Sequence, residues 1–140
     1  GLRAGTLPVH LIAGFGKASE LANLYHEERI LKCANIKKDA LSSFADLNPL
    51  INGGLEEVMS HTLNVSFPGI NSEAAMIALK DIAFVSNGSA CTSTEYSLSH
   101  VLSAMGLEED RIEGAIRISW CHLTDKIKWD EIVSALMKLR

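Results

Sequence analysis

Residues 115–120, Ala-Ile-Arg-Ile-Ser-Trp, alternate between apolar and polar side chains. A period of two is typical of a β-strand with one buried face and one open face. Ile116, Ile118 and Trp120 are expected to share the buried face. Arg117 is then expected on the opposite face, pointing away from the apolar row. The segment therefore predicts a strand that supplies the core on one side and presents an arginine on the other.

Two further strands are predicted earlier in the chain. Residues 63–67 are short and rich in strand-forming side chains, and Pro68-Gly69 directly after them ends the strand. Residues 82–85, Ile-Ala-Phe-Val, form an apolar run of strand length that leads into a loop. Turn-forming residues at 48–54 predict a loop or hairpin between the first helical region and the strands.

Four helices are predicted from apolar residues at helical spacing. An amphipathic surface helix is expected within residues 11–33, and Ser72 is the expected N-cap of a helix over residues 73–80. A third helix is expected to end at Gly106, a residue suited to the C-cap. The last helix is expected to open near Thr124, with a buried stripe of Trp129, Ile132, Val133, Leu136 and Leu139. The predicted fold is α/β, a two- or three-stranded sheet packed by helices in one domain.

Composition and charge restrict the class of protein. The chain has 140 residues, 47% apolar and 21% charged, the balance of a globular domain and not of a disordered segment. A formal charge of -4 and a pI near 5.7 argue against direct nucleic-acid binding and against binding to anionic lipid. No apolar run reaches the roughly 18 to 20 residues that span a bilayer, so a soluble, cytoplasmic protein is expected.

The three cysteines, Cys33, Cys91 and Cys121, are an odd number at long spacings. This pattern fits neither a disulfide framework nor a zinc site with paired Cys-x-x-Cys ligands, so at least one thiol is expected to be free. Cys91 lies in Gly-Ser-Ala-Cys-Thr-Ser at residues 88–93, a predicted loop whose small residues let it approach another surface. The residues alone leave two interpretations open, a nucleophilic thiol or a small side chain buried in the core.

Arg117 is the second candidate functional residue. A guanidinium carried by a strand can bind a small carboxylate through two parallel hydrogen bonds. The alternative is an arginine that forms a surface salt bridge, which is common for strand residues that face water.

Five segments follow one another in an order and at spacings shared with a single enzyme family. Those segments are Arg-Ala-Gly-Thr-Leu-Pro-Val-His at 3–10, Asn-Val-Ser-Phe at 64–67, Ala-Leu-Lys-Asp at 78–81, Gly-Ser-Ala-Cys-Thr-Ser at 88–93 and Ala-Ile-Arg-Ile-Ser at 115–119. With them, the chain resembles the C-terminal part of pyridoxal-phosphate-dependent cysteine desulfurases of the housekeeping and nitrogenase-associated type, in the class V aminotransferase family. The resemblance covers essentially the whole chain, and collinear matches of this kind are specific.

The resemblance implies a fold and a set of roles. Residues 14–140 would form the small C-terminal domain of an aminotransferase-like enzyme of fold type I, and residues 1–13 would end the connection from its large domain. Cys91 would accept the sulfur, Arg117 would bind the substrate carboxylate, and Thr6 would contact the cofactor phosphate across the dimer interface. The implied reaction converts L-cysteine to L-alanine and a protein-bound persulfide. A homodimer joined through the large domain would then pass that sulfur to an acceptor protein, as in iron-sulfur cluster assembly.

Two features depart from the family pattern. The family's cofactor lysine follows a histidine in the large domain, and no His-Lys dipeptide occurs in this chain. The chain is therefore expected to belong to a longer parent and to be inactive alone. Cys121-His122 stands where the family often has Gly-Arg. Adjacent Cys and His do not easily ligate one metal, so no metal site is predicted, and Cys121 is expected to pack at a strand end.

Two other functions stay open at this point. A selenocysteine lyase would be distinguished by its activity on selenocysteine compared with cysteine. A non-enzymatic module that carries a persulfide or docks a partner would have no cofactor and no turnover.

Overall fold

A four-stranded antiparallel sheet, ordered β1-β2-β4-β3, forms the centre of the computed structural model, which describes residues 5–56, 58–87 and 98–140. The strands are β1 (Leu50–Ile51), β2 (Thr62–Ser66), β3 (Ser86–Asn87) and β4 (Ala115–Ser119). The sheet thus has at least one strand more than the sequence predicted. Because β1 and β3 are two residues long, they are too short to show a period-two pattern.

Helices pack around this sheet. In the described part of the chain they are α1 (Val9–Leu24), α2 (His26–Ser43), α3 (Ser72–Leu79), α4 (His100–Ala104), α5 (Glu109–Glu113) and α6 (Trp129–Met137), with a short 3₁₀ helix at Ala45–Leu47 after α2. This arrangement confirms the predicted α/β class, a small sheet packed by helices. Among these helices none is both long and apolar enough to cross a membrane.

The two faces of the sheet are covered differently. Leu63 and Val65 of β2 and Ile116 of β4 are buried on one face, where they join the main core with side chains of α2, α3 and α6. On the opposite face, Ala115 belongs to a smaller apolar cluster with residues of α4 and α5. Arg117, two residues further along β4 and on that same face, is exposed. Helices α4 and α5 therefore cover one end of the second face and leave the part around Arg117 open.

The helix predicted within residues 11–33 is two helices. The break falls at Tyr25, whose φ of -107° and ψ of 12° lie outside the helical region. Helix α2 buries Cys33 and Ala40, whereas no residue of α1 is buried. Periodicity predicted the helical structure correctly and missed the break, because a change of direction depends on what each half packs against.

The strand predicted at residues 82–85 is wrong. The N–H groups of Ile82 and Ala83 both donate to the Leu79 carbonyl, each at 2.8 Å, which continues the turn after α3. Ile82, Ala83 and Val85 are partly buried against the main core. The apolar run therefore reflects packing by a turn, and the sheet hydrogen bonds begin only at Ser86.

Asn71, and not Ser72, is the N-cap of α3. Its Oδ1 accepts the N–H groups of Glu73 at 2.9 Å and Ala74 at 3.3 Å. Ser72 is the first residue of the helix and is buried. Both residues are good caps by type, so the choice between them depended on which one leaves the preceding turn with extended dihedral angles.

The last helix begins at Trp129, later than the Thr124 that the sequence favoured. The Thr124 hydroxyl accepts the N–H of Cys121 at 2.9 Å and is used to close a turn after β4. Of the predicted buried stripe, Ile132 and Leu136 lie inside the core. The other three residues pack against the core and are only partly buried: Trp129, Val133 and Leu139. The C-cap of α4 is Met105, one residue before the expected Gly106. Gly106 follows it with a φ of 73°, in the left-handed region that favours glycine.

Candidate functional site

Arg117 lies on the open part of the second sheet face, between two polar neighbours. In the antiparallel register its partner on β2 is Asn64, and its partner on β3 is Ser86. Directly opposed residues of an antiparallel pair have Cβ atoms about 4.5 to 5.5 Å apart and share a face. The side chain of Arg117 therefore leaves the sheet between those of Asn64 and Ser86.

The guanidinium of Arg117 has no partner among the described residues. Salt bridges among the described residues join Lys17 to Glu20 and Lys128 to Glu131, and neither involves Arg117. No hydrogen bond from its side chain to another described residue is formed either. The alternative of a surface salt bridge thus has no partner within residues 5–56, 58–87 and 98–140, which favours the carboxylate-binding interpretation.

A partly buried polar network supports this face from the side of β1. Arg111 of α5 donates from Nε to Asn52 Oδ1 and from an Nη atom to the Ile51 carbonyl, both at 2.7 Å. Asn52 Nδ2 donates to Asn64 Oδ1 and to Ser66 Oγ, both at 2.8 Å. The Ser66 hydroxyl donates in turn to the Arg111 carbonyl at 2.6 Å. The network fixes the amide of Asn64, the residue opposite Arg117.

The sequence alone did not predict this network. Its members come from β1, β2 and α5, and an asparagine or serine in a turn or strand has no pattern that predicts a distant arginine partner. The one available signal was polar alternation in β2, since Asn64 and Ser66 lie between the apolar residues Leu63, Val65 and Phe67.

Cys91 lies outside the described residues, so its predicted role stays a prediction. The described chain leads into its segment from β3, whose Ser86 and Asn87 pair with Arg117 and Ile116. The chain therefore leaves the sheet beside Arg117 immediately before residues 88–97. It is described again from Leu98, which packs with α4 and α5 on the same sheet face.

Thr6 lies in the exposed stretch that precedes α1. The adjoining Gly5 has a φ of 95°, in the left-handed region that favours glycine. The division of the chain at residues 13 and 14 falls inside α1 and stays a prediction.

The expectation that Cys121 packs in the interior is wrong. Cys121 is exposed in the turn after β4, whereas Cys33 is buried. The Leu123 N–H and the Thr124 hydroxyl donate to the sulfur and lower the pKa of Cys121. Burial, followed by the nearby Cys121, raises the pKa of Cys33. The two thiols therefore differ in exposure and in the tendency to ionise.

Both thiols line an open pocket of about 360 Å³ between α2 and the ends of β2 and β4. Its other polar lining residues include His26, Arg29, His61 and His122. Despite this composition, no group of three or more metal-ligating side chains is arranged to hold an ion within the part of the chain that the structure describes. The prediction that Cys121-His122 is not a metal site stays a prediction.

Similar proteins were found among curated sequences, although no protein-family profile matches the chain. The chain is 37% identical over 145 residues to cysteine desulfurase IscS of Vibrio vulnificus strain YJ016, an alignment that spans 100% of this chain and 36% of the relative. It is 41% identical over 141 residues to cysteine desulfurase IscS of Anaeromyxobacter sp. strain Fw109-5, which spans 99% of this chain and 34% of the relative. The chain thus spans between 34% and 36% of the length of these relatives.

Solved structures share the fold. A NifS-like protein superimposes with a TM-score of 0.75 at 31% identity, covering 99% of this chain and 34% of that protein. A NifS-like protein from Rickettsia africae ESF-5 superimposes with a TM-score of 0.76 at 26% identity, covering 98% of this chain and 36% of that protein. DndA from Streptomyces lividans superimposes with a TM-score of 0.63 at 32% identity, covering 86% of this chain and 34% of that protein. Over essentially its whole length the chain is related in sequence to cysteine desulfurases, whose C-terminal portion it corresponds to, and in fold to NifS-like proteins.

Proposed function

We propose that this chain is the C-terminal part of a pyridoxal-phosphate-dependent cysteine desulfurase, which converts L-cysteine to L-alanine and leaves the sulfur as a persulfide on Cys91. Residues 14–140 would form its small domain and residues 1–13 the end of the connection from the large domain. The observation that carries the proposal is the position of Arg117, exposed and without a described side-chain partner, on the strand next to the one that leads into the Cys91 segment.

The reaction needs these two groups near one another. A bound amino acid presents its carboxylate and its side-chain sulfur only a few bonds apart. A cationic clamp for the carboxylate and a nucleophile for the sulfur must therefore approach the same small molecule. Arg117 can hold a carboxylate in a two-pronged, charge-assisted contact, and the small side chains beside it, Asn64 and Ser86, leave room for that approach.

Cys91 supplies the nucleophile in this proposal. Its thiolate bonds to the substrate sulfur as the bond between that sulfur and carbon breaks. The electron pair of the broken bond leaves with the carbon, which takes up a proton on the way to L-alanine, and the sulfur stays on the protein as a persulfide. Because an ordinary thiol is only a few per cent ionised at neutral pH, the site must raise the thiolate fraction of Cys91. Delivery of the sulfur to an acceptor protein then requires the segment that carries Cys91 to reach a second surface.

Pyridoxal phosphate, when bound, supplies the electron sink that weakens the bond between carbon and sulfur. Thr6, an exposed residue, is the one of this chain that would touch it, since a threonine hydroxyl can donate a hydrogen bond to a phosphate oxygen. We expect no covalent link between this chain and the cofactor, because the chain has no His-Lys dipeptide of the kind that carries the family's cofactor lysine. The remaining cofactor contacts would come from the large domain.

Helix α1 supports the placement of this chain beside a larger domain. None of its residues is buried, and its exposed apolar side chains include Val9, Leu11, Ile12 and Phe15. Contiguous apolar surface of this kind marks an interaction site, since its removal from water gains about 25 cal/mol per Å². We infer that the large domain covers this helix, that the parent is a homodimer joined through its large domains, and that it works in the cytoplasm.

Kinetics of the intact parent enzyme test the proposal. Arg117→Ala is expected to lower kcat/KM for L-cysteine between roughly tenfold and a hundredfold, because it removes a charge-assisted contact. Arg117→Lys should not recover the full activity, since an ammonium lacks the planar fork. Cys91→Ser should bind L-cysteine and form no persulfide on the protein. If Arg117→Ala stayed within about twofold of the parent, Arg117 would be a structural strand residue.

Two further measurements separate the alternatives. A parent that turns over L-selenocysteine and not L-cysteine would be a selenocysteine lyase. A parent that releases no alanine, while Cys91 still carries sulfur received from another protein, would be a persulfide-carrying module. The 140-residue chain alone should be colourless and should release no alanine from L-cysteine.

A further inference from the structure

The direction of every hydrogen bond in the polar network beside Arg117 follows from Arg111. A guanidinium has donors and no acceptor. The Asn52 atom that receives the Arg111 Nε–H at 2.7 Å must therefore be the carbonyl oxygen, Oδ1. The amide nitrogen of Asn52 then faces Asn64 and Ser66. The orientation of the Asn52 amide is thus set by the donor-only guanidinium of Arg111.

The same reasoning sets the orientation of Asn64. Asn52 Nδ2 can only donate, so the atom that it contacts on Asn64 at 2.8 Å must be Oδ1. Asn52 follows β1, on one side of β2, and Arg117 lies on β4, on the other side. Because the oxygen and nitrogen of a planar amide point in different directions, an Oδ1 turned toward β1 leaves Nδ2 for the open face where Arg117 lies.

The N–H groups of Asn64 have no acceptor in the part of the chain that the structure describes. No described residue accepts a hydrogen bond from Asn64 Nδ2, and Asn64 is only partly buried. The opposite orientation would place a carbonyl oxygen beside Arg117, where it would accept from the guanidinium and repel a ligand carboxylate. It would also bring two donors together at Asn52, inside a partly buried network, where an unsatisfied polar group is costly.

We propose that Asn64 is a second carboxylate-binding residue, whose amide is turned by Arg111 and Asn52 so that its N–H groups face the anion held by Arg117. The proposal rests on the proposed function, because the anion is the carboxylate of the amino-acid substrate. Asn64 contacts the ligand, whereas Asn52 and Arg111 are positioning residues that act through it. A carboxylate so bound would receive donors from two neighbouring strands, β2 and β4.

The sharpest test is Asn52→Asp in the intact enzyme. A carboxylate at this position still accepts from Arg111 but cannot donate to Asn64, so the Asn64 amide is expected to turn its Nδ2 toward β1. Both Asn52→Asp and Asn64→Ala should then raise KM for L-cysteine about tenfold with little change in kcat, the effect of one hydrogen bond to a charged group. Asn71→Asp, the same chemical change at the N-cap of α3, should leave KM unchanged.

Cysteamine, which lacks the carboxylate, distinguishes a loss of carboxylate binding from a general disturbance of the site. Its inhibition constant should stay within about twofold in all these variants, because none of them touches the amine or the sulfur. If Asn64→Ala weakened cysteamine and L-cysteine equally, or if KM stayed unchanged while Arg117→Ala lowered kcat/KM, the role of Asn64 would be refuted and the proposed function would stand. An Arg117→Ala variant with unchanged kinetics would instead refute the substrate assignment itself.

The variants Asn64→Ala and Asn52→Asp of the polar network also test each other. Asn64→Ala removes the donor directly, and Asn52→Asp removes it only by reversing the amide. A normal KM for Asn52→Asp together with a raised KM for Asn64→Ala would overturn the positioning role of Asn52. Unfolding of each variant enzyme in denaturant shows whether the fold is retained.

Discussion

Phe44 packs edge-on against Phe67, with ring centroids 5.2 Å apart and ring planes at 81°. The same Phe44 ring meets Trp129 of α6 at 5.5 Å and 88°. Phe44 follows α2 and Phe67 follows β2, so this one fully buried ring joins the helical layer to the sheet and to the last helix.

Phe44→Ala is therefore expected to cost about 3 to 5 kcal/mol of unfolding free energy, from lost burial, a cavity and two lost ring contacts. In the 140-residue chain Phe15→Ala is the matched control, since that ring is 77% exposed on α1 and its loss should change stability by less than about 0.5 kcal/mol. Denaturant unfolding followed by the fluorescence of Trp120 and Trp129 measures both. Equal costs for the two variants would contradict the assigned core.

Gly114 lies where α5 turns into β4, close to the backbone of the turn after β2. A Cβ atom at this position would lie 2.8 Å from the Ile70 carbonyl oxygen. Because a backbone atom cannot move aside as a flexible side chain can, Gly114→Ala is expected to destabilise the protein by about 1 to 3 kcal/mol. Gly14→Ala, in α1 with nothing within 4 Å of its Cβ, should be neutral or stabilising by up to about 1 kcal/mol. A Gly114→Ala variant as stable as Gly14→Ala would show that the two segments are further apart.

Asn71→Ala should lower stability by about 1 kcal/mol, because the first N–H groups of α3 lose their acceptor. Asn71→Asp should retain the stability of the parent, since a carboxylate accepts the same bonds and is favoured at a helix N-terminus. The measurement is the midpoint of thermal unfolding. If Asn71→Ala had no effect, the N-cap would have to be assigned to another residue.

Iodoacetamide should alkylate Cys121 at least about tenfold faster than Cys33. Cys121 is exposed and its pKa is lowered, whereas Cys33 is buried and its pKa is raised. The thiolate is the reacting form, so the rate at Cys121 should fall with pH only once pH passes below its lowered pKa. Thr124→Val removes the hydroxyl that donates to the sulfur and should move that pH profile upward. Mapping of labelled peptides gives the rate at each thiol.

Denatured protein is the control for this comparison. The two thiols should react at similar rates in denaturant, since the differences in burial and hydrogen bonding disappear with the fold. A persistent difference would assign the effect to local sequence and would contradict the structural cause.

Local sequence pattern determined the fold class and the elements with long, regular side-chain alternation. Ile116, Ile118 and Trp120 were placed on the buried face of β4, and Ile132 and Leu136 in the core, because strand and helix periods are properties of the chain itself. The position of Gly106 after a helix was predictable for a different local reason, because the positive φ that follows many helices favours glycine. The resemblance to cysteine desulfurases likewise followed from collinear motifs.

Contacts between distant segments decided the rest. The break at Tyr25, the two-residue strands and the exposure of Cys121 depend on what packs against each segment, and a short local pattern does not contain that information. The network that turns Asn64 toward Arg117 is the clearest case. Its donor, Arg111, is far from Asn52 in sequence and meets it only when α5 folds over the sheet, because hydrogen-bond direction is set by the partner and not by the residue alone.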